Sequence, residues 1–346
     1  MPNVTPPLNA RFIYLVLYPH RPLANKPAGL RGAQPSLNKY QAPYFLDLDI
    51  ELLDLEQRTF EIDGLVIDQR RQVIDDEIAV IESACTLTDV LNPATNMLKQ
   101  SVQTKLLDLA RSDSGYDGAF LEEYTIVCVS NVLARPDDFV DTNRLALATL
   151  LRNTPRAVSE VEADQILTSR TRYTDRDLTI VDWDGALLID ADEDFRSDIE
   201  LLKIGNYELL GYRLLDRAIE RNLEKVRLAL ESKRHLQFFS NVVREALEQR
   251  LELLLDFEKA EQSLLLIGDW YSSQLYRLIV DEFYIDEWKA AVKGKLDQLE
   301  SITDIIHENF TLSWEHTLDL IQLAGWLLLL VGYFVLFYFD VVAVIK

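Results

Sequence analysis

The C-terminal stretch LDLIQLAGWLLLLVGYFVLFYFDVVAVIK, residues 318–346, decides the architecture that this sequence predicts. From Leu320 to Phe339 it contains twenty residues without a formal charge. About twenty helical residues cross the roughly 30 Å hydrocarbon layer of a bilayer. The alternative is a buried core helix, but soluble helices that are apolar on every side at this length are rare. We therefore expect a membrane span.

This stretch contains three aromatic residues of interfacial type and one acidic residue. Trp326, Tyr333 and Tyr338 are the residue types that gather at membrane interfaces, although the first two lie deep in the predicted span. Asp340 follows the uncharged run, so we expect it to mark the far interface. The sharper alternative is a functional carboxylate inside the membrane.

The overall composition limits the partners of the rest of the chain. There are 35 basic and 57 acidic residues, a net charge of −22. This balance disfavours nucleic acid and electrostatic docking on anionic lipid. The two cysteines, Cys85 and Cys128, suggest no disulfide framework, and the N-terminus shows no signal-peptide pattern. We expect a single-pass, tail-anchored membrane protein with its bulk in the cytoplasm.

A composition break organises the chain. All 11 prolines fall within residues 1–155, and proline-free sequence permits long helices. We predict an α+β cytoplasmic domain over residues 1–198, a long helical stalk over 199–316, and a transmembrane anchor over 317–346.

The first part shows strand and turn signals. FIYLVLY, residues 12–18, is typical of a buried strand, and FLDLDIEL, residues 45–52, alternates as a half-buried strand does. Hairpins are predicted at Asp63-Gly64 and Asp184-Gly185. EYTIVCVS, residues 123–130, predicts another strand. Helical patterns are predicted over residues 74–91, 94–111, 139–154 and 159–169.

The second part shows helical periodicity. Apolar residues recur at steps of four, four, three and four in Leu215, Ile219, Leu223, Val226 and Leu230. We predict one helix of fifty-odd residues, about 80 Å long, ending near the Gly268-Asp269-Trp270 break, and another helix from about 286 to 309. Their apolar stripes need partners, so we expect antiparallel or coiled-coil pairing and a homo-oligomer.

VDWDGALL, residues 181–188, resembles the first motif of haloacid-dehalogenase phosphatases. The resemblance implies Asp182 as nucleophile and Asp184 as general acid. A hairpin turn is the alternative, and it fits better because no later strands follow to complete a doubly wound domain.

Two clusters of acidic residues suggest cation-binding sites. DADEDFRSDIEL, residues 190–201, resembles a calcium loop, but its sixth and twelfth positions are Phe195 and Leu201 instead of Gly and Glu. Before the span, four acids lie at steps of four, seven and four, with His316 beside them: Asp304, Glu308, Glu315 and Asp319. In an oligomer they would form carboxylate rings at a pore mouth; a solvated helix face is the plainer interpretation.

Two family resemblances follow from these parts. The order of the parts and NYELLGYRLLDRAIERNLEKV, residues 206–226, resemble the CorA metal-ion transporters. Those transporters have two spans joined by a Gly-Met-Asn loop, whereas this chain has one predicted span. LYRLIVDEFYIDEW, residues 275–288, and EHTLDLIQLAGWLLLL, residues 315–330, are similar to the YagE-type family of unknown function, relatives of proteins required for meiotic nuclear division.

We therefore predict a tail-anchored, self-associating, non-enzymatic scaffold or sensor. Its expected partners are the lipid bilayer and other copies of the chain. We expect no cofactor other than, under the channel alternative, a divalent cation. A CorA-like divalent-cation channel is the alternative, and a phosphatase is the third possibility.

Overall fold

The computed structural model describes residues 8–20, 52–114, 118, 120–132, 134–152, 156, 158–231 and 270–345, with the side chains of 114, 226, 229–231, 303–318 and 337–345 outside the description. The chain divides into two units. The first comprises Met1–Ala218 and Glu252–Val292, and the second comprises Ile219–Leu251 and Lys293–Lys346. The predicted three-part division at residues 198 and 316 stays a prediction.

The first unit is built on an eight-stranded sheet. In spatial order the strands are β2 (Leu52–Ile62), β3 (Leu65–Ile74), β4 (Ile78–Leu87), β1 (Ala10–Pro19), β5 (Glu122–Val129), β8 (Gly185–Asp190), β7 (Asp177–Val181) and β6 (Arg170–Thr171). Only the β5–β8 pairing is parallel among the described strands. The predicted α+β domain is confirmed.

Helices cover both faces of this sheet, which explains the almost continuous burial of β1. Helices α1 (Pro93–Ser114) and α3 (Arg144–Leu151) pack on one face with the short helices α2 (Pro136–Thr142) and α4 (Glu160–Ile166). On the other face lie α5 (Arg196–Glu231) and α6 (Trp270–Glu282). Tyr271 of α6, for example, contacts Thr179 of β7.

Both predicted hairpins are confirmed, but their turns differ. Asp63 and Gly64 have φ values of 51° and 81°, as a two-residue turn with positive φ at both positions requires. In the second hairpin, Asp182 and Gly185 exchange two backbone hydrogen bonds, of 2.9 and 3.3 Å. Its turn is therefore Trp183-Asp184, one residue earlier than predicted. Gly185 is needed for space, because a Cβ there would lie 2.7 Å from the backbone oxygen of Thr125 on β5.

The helix predicted over residues 74–91 is wrong. Asp75 and Asp76 adopt positive φ in a turn, and Ile78–Leu87 forms β4. Both faces of β4 are largely buried, so its sequence lacks the alternation of a half-exposed strand. A short apolar run of this kind does not distinguish a buried strand from a helix. The helices predicted over 94–111, 139–154 and 159–169 are confirmed in position as α1, α2 with α3, and α4. Most of the predicted strand at 45–52 lies outside the described residues.

Three helices of the described chain follow the last strand of the sheet. Helices α5 and α6 run parallel, because Asp198 meets Tyr271 near their starts and Gly205 faces Ile279 about two turns later. Helix α7 (Ile285–Ile345) is continuous through the predicted break between stalk and anchor.

In the second unit, Lys295 of α7 lies 2.9 Å from Glu220 of α5. Ile219, Leu296 and Leu299 are buried there. The length of the first long helix beyond Glu231 lies outside the described residues, and the antiparallel or coiled-coil arrangement stays a prediction.

Candidate functional site

An apolar segment of α7, Asp319–Leu336, is the most prominent exposed feature of the described chain. It is long and apolar enough to cross a membrane, and none of it is buried. Its exposed side chains include Trp326, at 68%, and Leu328, at 75%. Large apolar side chains of soluble proteins are normally packed against a core, whereas these are exposed along the whole segment.

The residues predicted to mark the membrane fall in this helix. Trp326 and Tyr333 lie within the apolar segment, and both are exposed. Helix α7 continues through Tyr338 and Asp340, whose side chains lie outside the described residues. The placement of Asp340 at the far interface therefore stays a prediction.

The acidic residues predicted to share a face lie on the same helix. The backbone is helical throughout, so steps of four, seven and four keep their positions on one side. The side chains of Asp304, Glu308, Glu315 and His316 lie outside the described residues, and Asp319 is exposed. Among the described residues, no three His, Cys, Asp or Glu side chains come together to hold a metal. Metal binding by the predicted face stays a hypothesis.

The two motif aspartates lie at the β7–β8 turn beside Arg152, which follows α3. The guanidinium of Arg152 is 3.6 Å from the Asp182 carboxylate and 3.1 Å from that of Asp184. Asp182 is buried, and burial raises the pKa of its carboxyl, whereas Arg152 lowers it. Tyr124 also donates a hydrogen bond of 3.0 Å to the backbone oxygen of Asp182. These contacts tie the turn to the sheet and to α3.

Lys99 of α1 is a buried lysine that was not predicted from the sequence. Its side chain is fully buried, and its ammonium donates to the backbone oxygen of Leu150 in the last turn of α3. Burial lowers the pKa of Lys99 to about 8, and Asp184 opposes this shift. Carbonyls in the last helical turn lack a partner within the helix, so Lys99 caps α3. Val102 and Leu106, three and seven residues later, are also buried, so helical spacing could have predicted this burial.

A second missed cation lies between α5 and the sheet. Lys203 is 2% exposed, forms an ion pair with Glu82 of β4, and lies 3.1 Å from Glu200. Gln72 of β3 accepts a hydrogen bond of 3.3 Å from the same ammonium. Burial alone lowers the pKa of Lys203, but the two glutamates more than compensate and raise it above its ordinary value. The single ammonium therefore compensates part of the negative charge of the two glutamates at the helix–sheet contact.

Two carboxyl groups are buried between α5 and α6. Asp198 accepts hydrogen bonds of 2.8 Å from Thr179 and 2.7 Å from Tyr271. Glu208 accepts one of 2.7 Å from Tyr276, and burial raises its pKa to about 8. The sequence signal for a buried acid is an acidic residue within the apolar stripe of a helix. Asp198 and Glu208 both lie within such a stripe on α5.

The calcium-like loop connects β8 to α5. The backbone amide of Asp192 donates to the Asp190 carboxylate at 2.8 Å, and Glu193 adopts a φ of 60°. Phe195 is buried, and its backbone oxygen accepts the first hydrogen bond of α5 from Ile199. The residue at the position where a calcium loop needs glycine is therefore part of the core and begins a helix.

A family model matches most of the sheet-containing part of the chain. Residues 31–196 match a family described as "Uncharacterized protein MJ0711, N-terminal domain". The chain is 29% identical over 193 residues to "Uncharacterized protein MJ0711" of Methanocaldococcus jannaschii, which covers 56% of this chain and 59% of that protein. The chain thus aligns with less than two thirds of the relative's length. No solved structure matches. The family match ends where α5 begins and does not include the apolar segment of α7.

Proposed function

We propose that this protein is a membrane-anchored, non-enzymatic scaffold or sensor whose α+β domain is held at the membrane by helix α7. The observation that carries the proposal is the complete exposure of Asp319–Leu336 on one continuous helix. Its 18 residues extend about 27 Å, close to the thickness of the hydrocarbon layer. Burial of one large apolar side chain contributes about 1.5–3 kcal/mol, so many such side chains strongly favour lipid over water.

The proposal places the bulk of the chain in the cytoplasm. Cys85 and Cys128 are free, buried thiols, which suits a reducing compartment. Burial raises the pKa of Cys85 to about 11 and that of Cys128 to about 12, so both remain protonated and unreactive at neutral pH.

Fractionation of cells that express the full chain or a variant lacking residues 319–346 tests the anchor. The full chain should remain in membranes after alkaline carbonate extraction. The shortened variant should move to the soluble fraction, and its far-UV circular dichroism should lose only the helical signal of the deleted residues. Recovery of the full chain as a soluble monomer would refute the proposal.

Self-association is a further part of the proposal. Membrane insertion orients all copies alike, so exposed faces of α7 from neighbouring copies can meet in parallel. Light scattering of the detergent-solubilised chain should give a defined mass of two or more copies. A mass of one copy at every protein concentration would remove self-association from the proposal and leave the anchor untouched.

A divalent-cation channel is the alternative function. Its support is the series of acids on one side of α7 directly before the apolar segment. Purified protein in liposomes separates the two functions. Saturable uptake of magnesium or calcium would favour the channel, whereas tight liposomes with inserted protein favour the anchor.

A further inference from the structure

A polar cavity lies on the sheet face that α1 covers, between that helix and strands β2, β3 and β4. Its volume is about 230 Å³. This is smaller than the roughly 300–1,000 Å³ of sites that enclose drug-sized ligands, so the cavity suits a small molecule. The residues that line it are Glu56, Arg58, Gln69, Arg71, Ile81 and Asp113.

On one side of the cavity, the polar side chains form hydrogen bonds and an ion pair with one another. Arg58 donates a hydrogen bond of 2.8 Å from Nε to Gln69 and forms an ion pair with Asp113. Gln69 in turn donates to Ser83 at 2.8 Å. The charges of Arg58 and Asp113 cancel, and these four side chains form a connected wall.

On the other side of the cavity, two oppositely charged side chains are neighbours but form no ion pair. Glu56 of β2 and Arg71 of β3 are direct partners in the antiparallel ladder. Opposite charges at such positions are close enough to interact, yet no ion pair or hydrogen bond joins them in the described chain. A β-bulge between Asp54 and Glu56 shifts the register next to this pair, and bulges re-aim neighbouring side chains.

Arg71 also has donor capacity left over. Its Nε is buried, and no acceptor for it exists among the described residues. Its guanidinium carbon lies 5.9 Å from the ring centroid of Tyr18, which supports the planar group from one side. This side of the cavity is thus bounded by one cation, Arg71, and one anion, Glu56, that do not form an ion pair with each other.

We propose that this cavity binds a small zwitterion of the amino-acid class, with its carboxylate on Arg71 and its ammonium on Glu56. A simple anion would bring a negative charge next to Glu56, which would repel it. A simple cation would bring a positive charge next to Arg71, which would repel it. A zwitterion satisfies both and brings no net charge into the cavity. The wall formed by Arg58, Gln69 and Asp113 offers it no further unpaired charge.

Isothermal titration of the full chain in detergent with glycine, L-alanine and L-serine tests the site. We expect saturable binding of at least one of these at or below about 10 mM, a weak-affinity range suited to a small ligand. Arg71→Gln and Glu56→Gln should each weaken binding at least 10-fold. Arg71→Lys keeps the charge but loses the planar fork, so it should bind more weakly than the wild type and more tightly than Arg71→Gln.

Matched variants control for charge and folding. Arg70→Gln removes a cation from the opposite face of β3, and Glu61→Gln removes an exposed acid from β2; both should bind as the wild type does. Thermal unfolding confirms that each variant is folded. Equal affinity for acetate or phosphate, with binding that survives Glu56→Gln, would show an anion site and overturn the proposal. Absence of saturation with all three amino acids would overturn it as well.

Discussion

At the scale of single residues, Lys203 is a fully buried cation of the first unit. It lies at the α5–sheet contact with two glutamates that are themselves mostly buried, Glu82 and Glu200. Removing one partner of a buried ion pair costs about 3–5 kcal/mol, because an uncompensated charge remains. Lys203→Met should therefore lower the free energy of unfolding by about this amount in urea denaturation of the solubilised chain.

Lys105→Met is the matched control for this prediction. Lys105 pairs with Asp63 on the surface, where its side chain is 50% exposed. Exposed pairs contribute about 0–1 kcal/mol, so this variant should unfold close to the wild-type midpoint. Recovery of stability in the triple variant Lys203→Met, Glu82→Gln, Glu200→Gln would confirm that the buried carboxylates cause the loss. Equal effects of Lys203→Met and Lys105→Met would contradict the argument.

Glu208 should make stability depend on pH. Burial raises its folded-state pKa to about 8, above the ordinary value of 4.5, while Tyr276 and Lys289 favour the charged form. Its contribution to stability is therefore complete below pH 4.5 and is lost as the pH rises through about 8. Between pH 6 and 9 the melting temperature of the wild type should fall more steeply than that of Glu208→Gln. The exposed Glu287→Gln serves as control, and parallel pH profiles for wild type and Glu208→Gln would disprove the assignment.

Among the structural elements, the contact between α5 and α6 depends on Gly205. A Cβ at this position would lie 2.2 Å from Cγ2 of Ile279 and 3.2 Å from the ring of Phe283. Overpacking of this kind costs about 1–3 kcal/mol, because the helices must separate. Gly205→Ala should therefore lower the midpoint of chemical denaturation.

Gly211 in the same helix provides the opposite case. No atom outside the neighbouring backbone lies within 4 Å of a Cβ built there. Gly211→Ala should stabilise α5 by up to about 1 kcal/mol, because alanine loses less backbone entropy in a helix. If both alanine variants shift the midpoint in the same direction, close packing at Gly205 is not the reason for its glycine.

For the molecule as a whole, the proposed membrane location depends on the apolar segment of α7. Leu329 lies in the middle of this segment and is 69% exposed. A charged residue at the centre of a span costs about 2.5–3.5 kcal/mol on insertion scales. Leu329→Arg should reduce the carbonate-resistant membrane fraction several-fold. Val161→Arg, at a 68% exposed site on α4, should leave that fraction unchanged; equal behaviour of both variants would contradict insertion by α7.

Features encoded within a few neighbouring residues were predictable from the sequence. The Asp63-Gly64 turn follows from residues that tolerate positive φ, and the buried strand β1 follows from one continuous apolar run. The apolar segment of α7 is likewise a local property of twenty consecutive residues. The amphipathic helix α5 follows from spacing that repeats within each turn. These signals need no knowledge of distant contacts.

Tertiary structure decided the features that depend on residues far apart in the chain. The strand β4 replaced a predicted helix because its pairing with β1 and β3 supplies its backbone partners. The environment of Lys203 combines residues 72, 82 and 200, and the cavity next to Arg71 combines three strands with the end of α1. Burial and charge compensation at these sites arise only when the sheet and helices assemble. Short-range patterns in the sequence therefore predicted most of the described elements and the apolar segment of α7, whereas long-range packing decided which charged groups became buried neighbours.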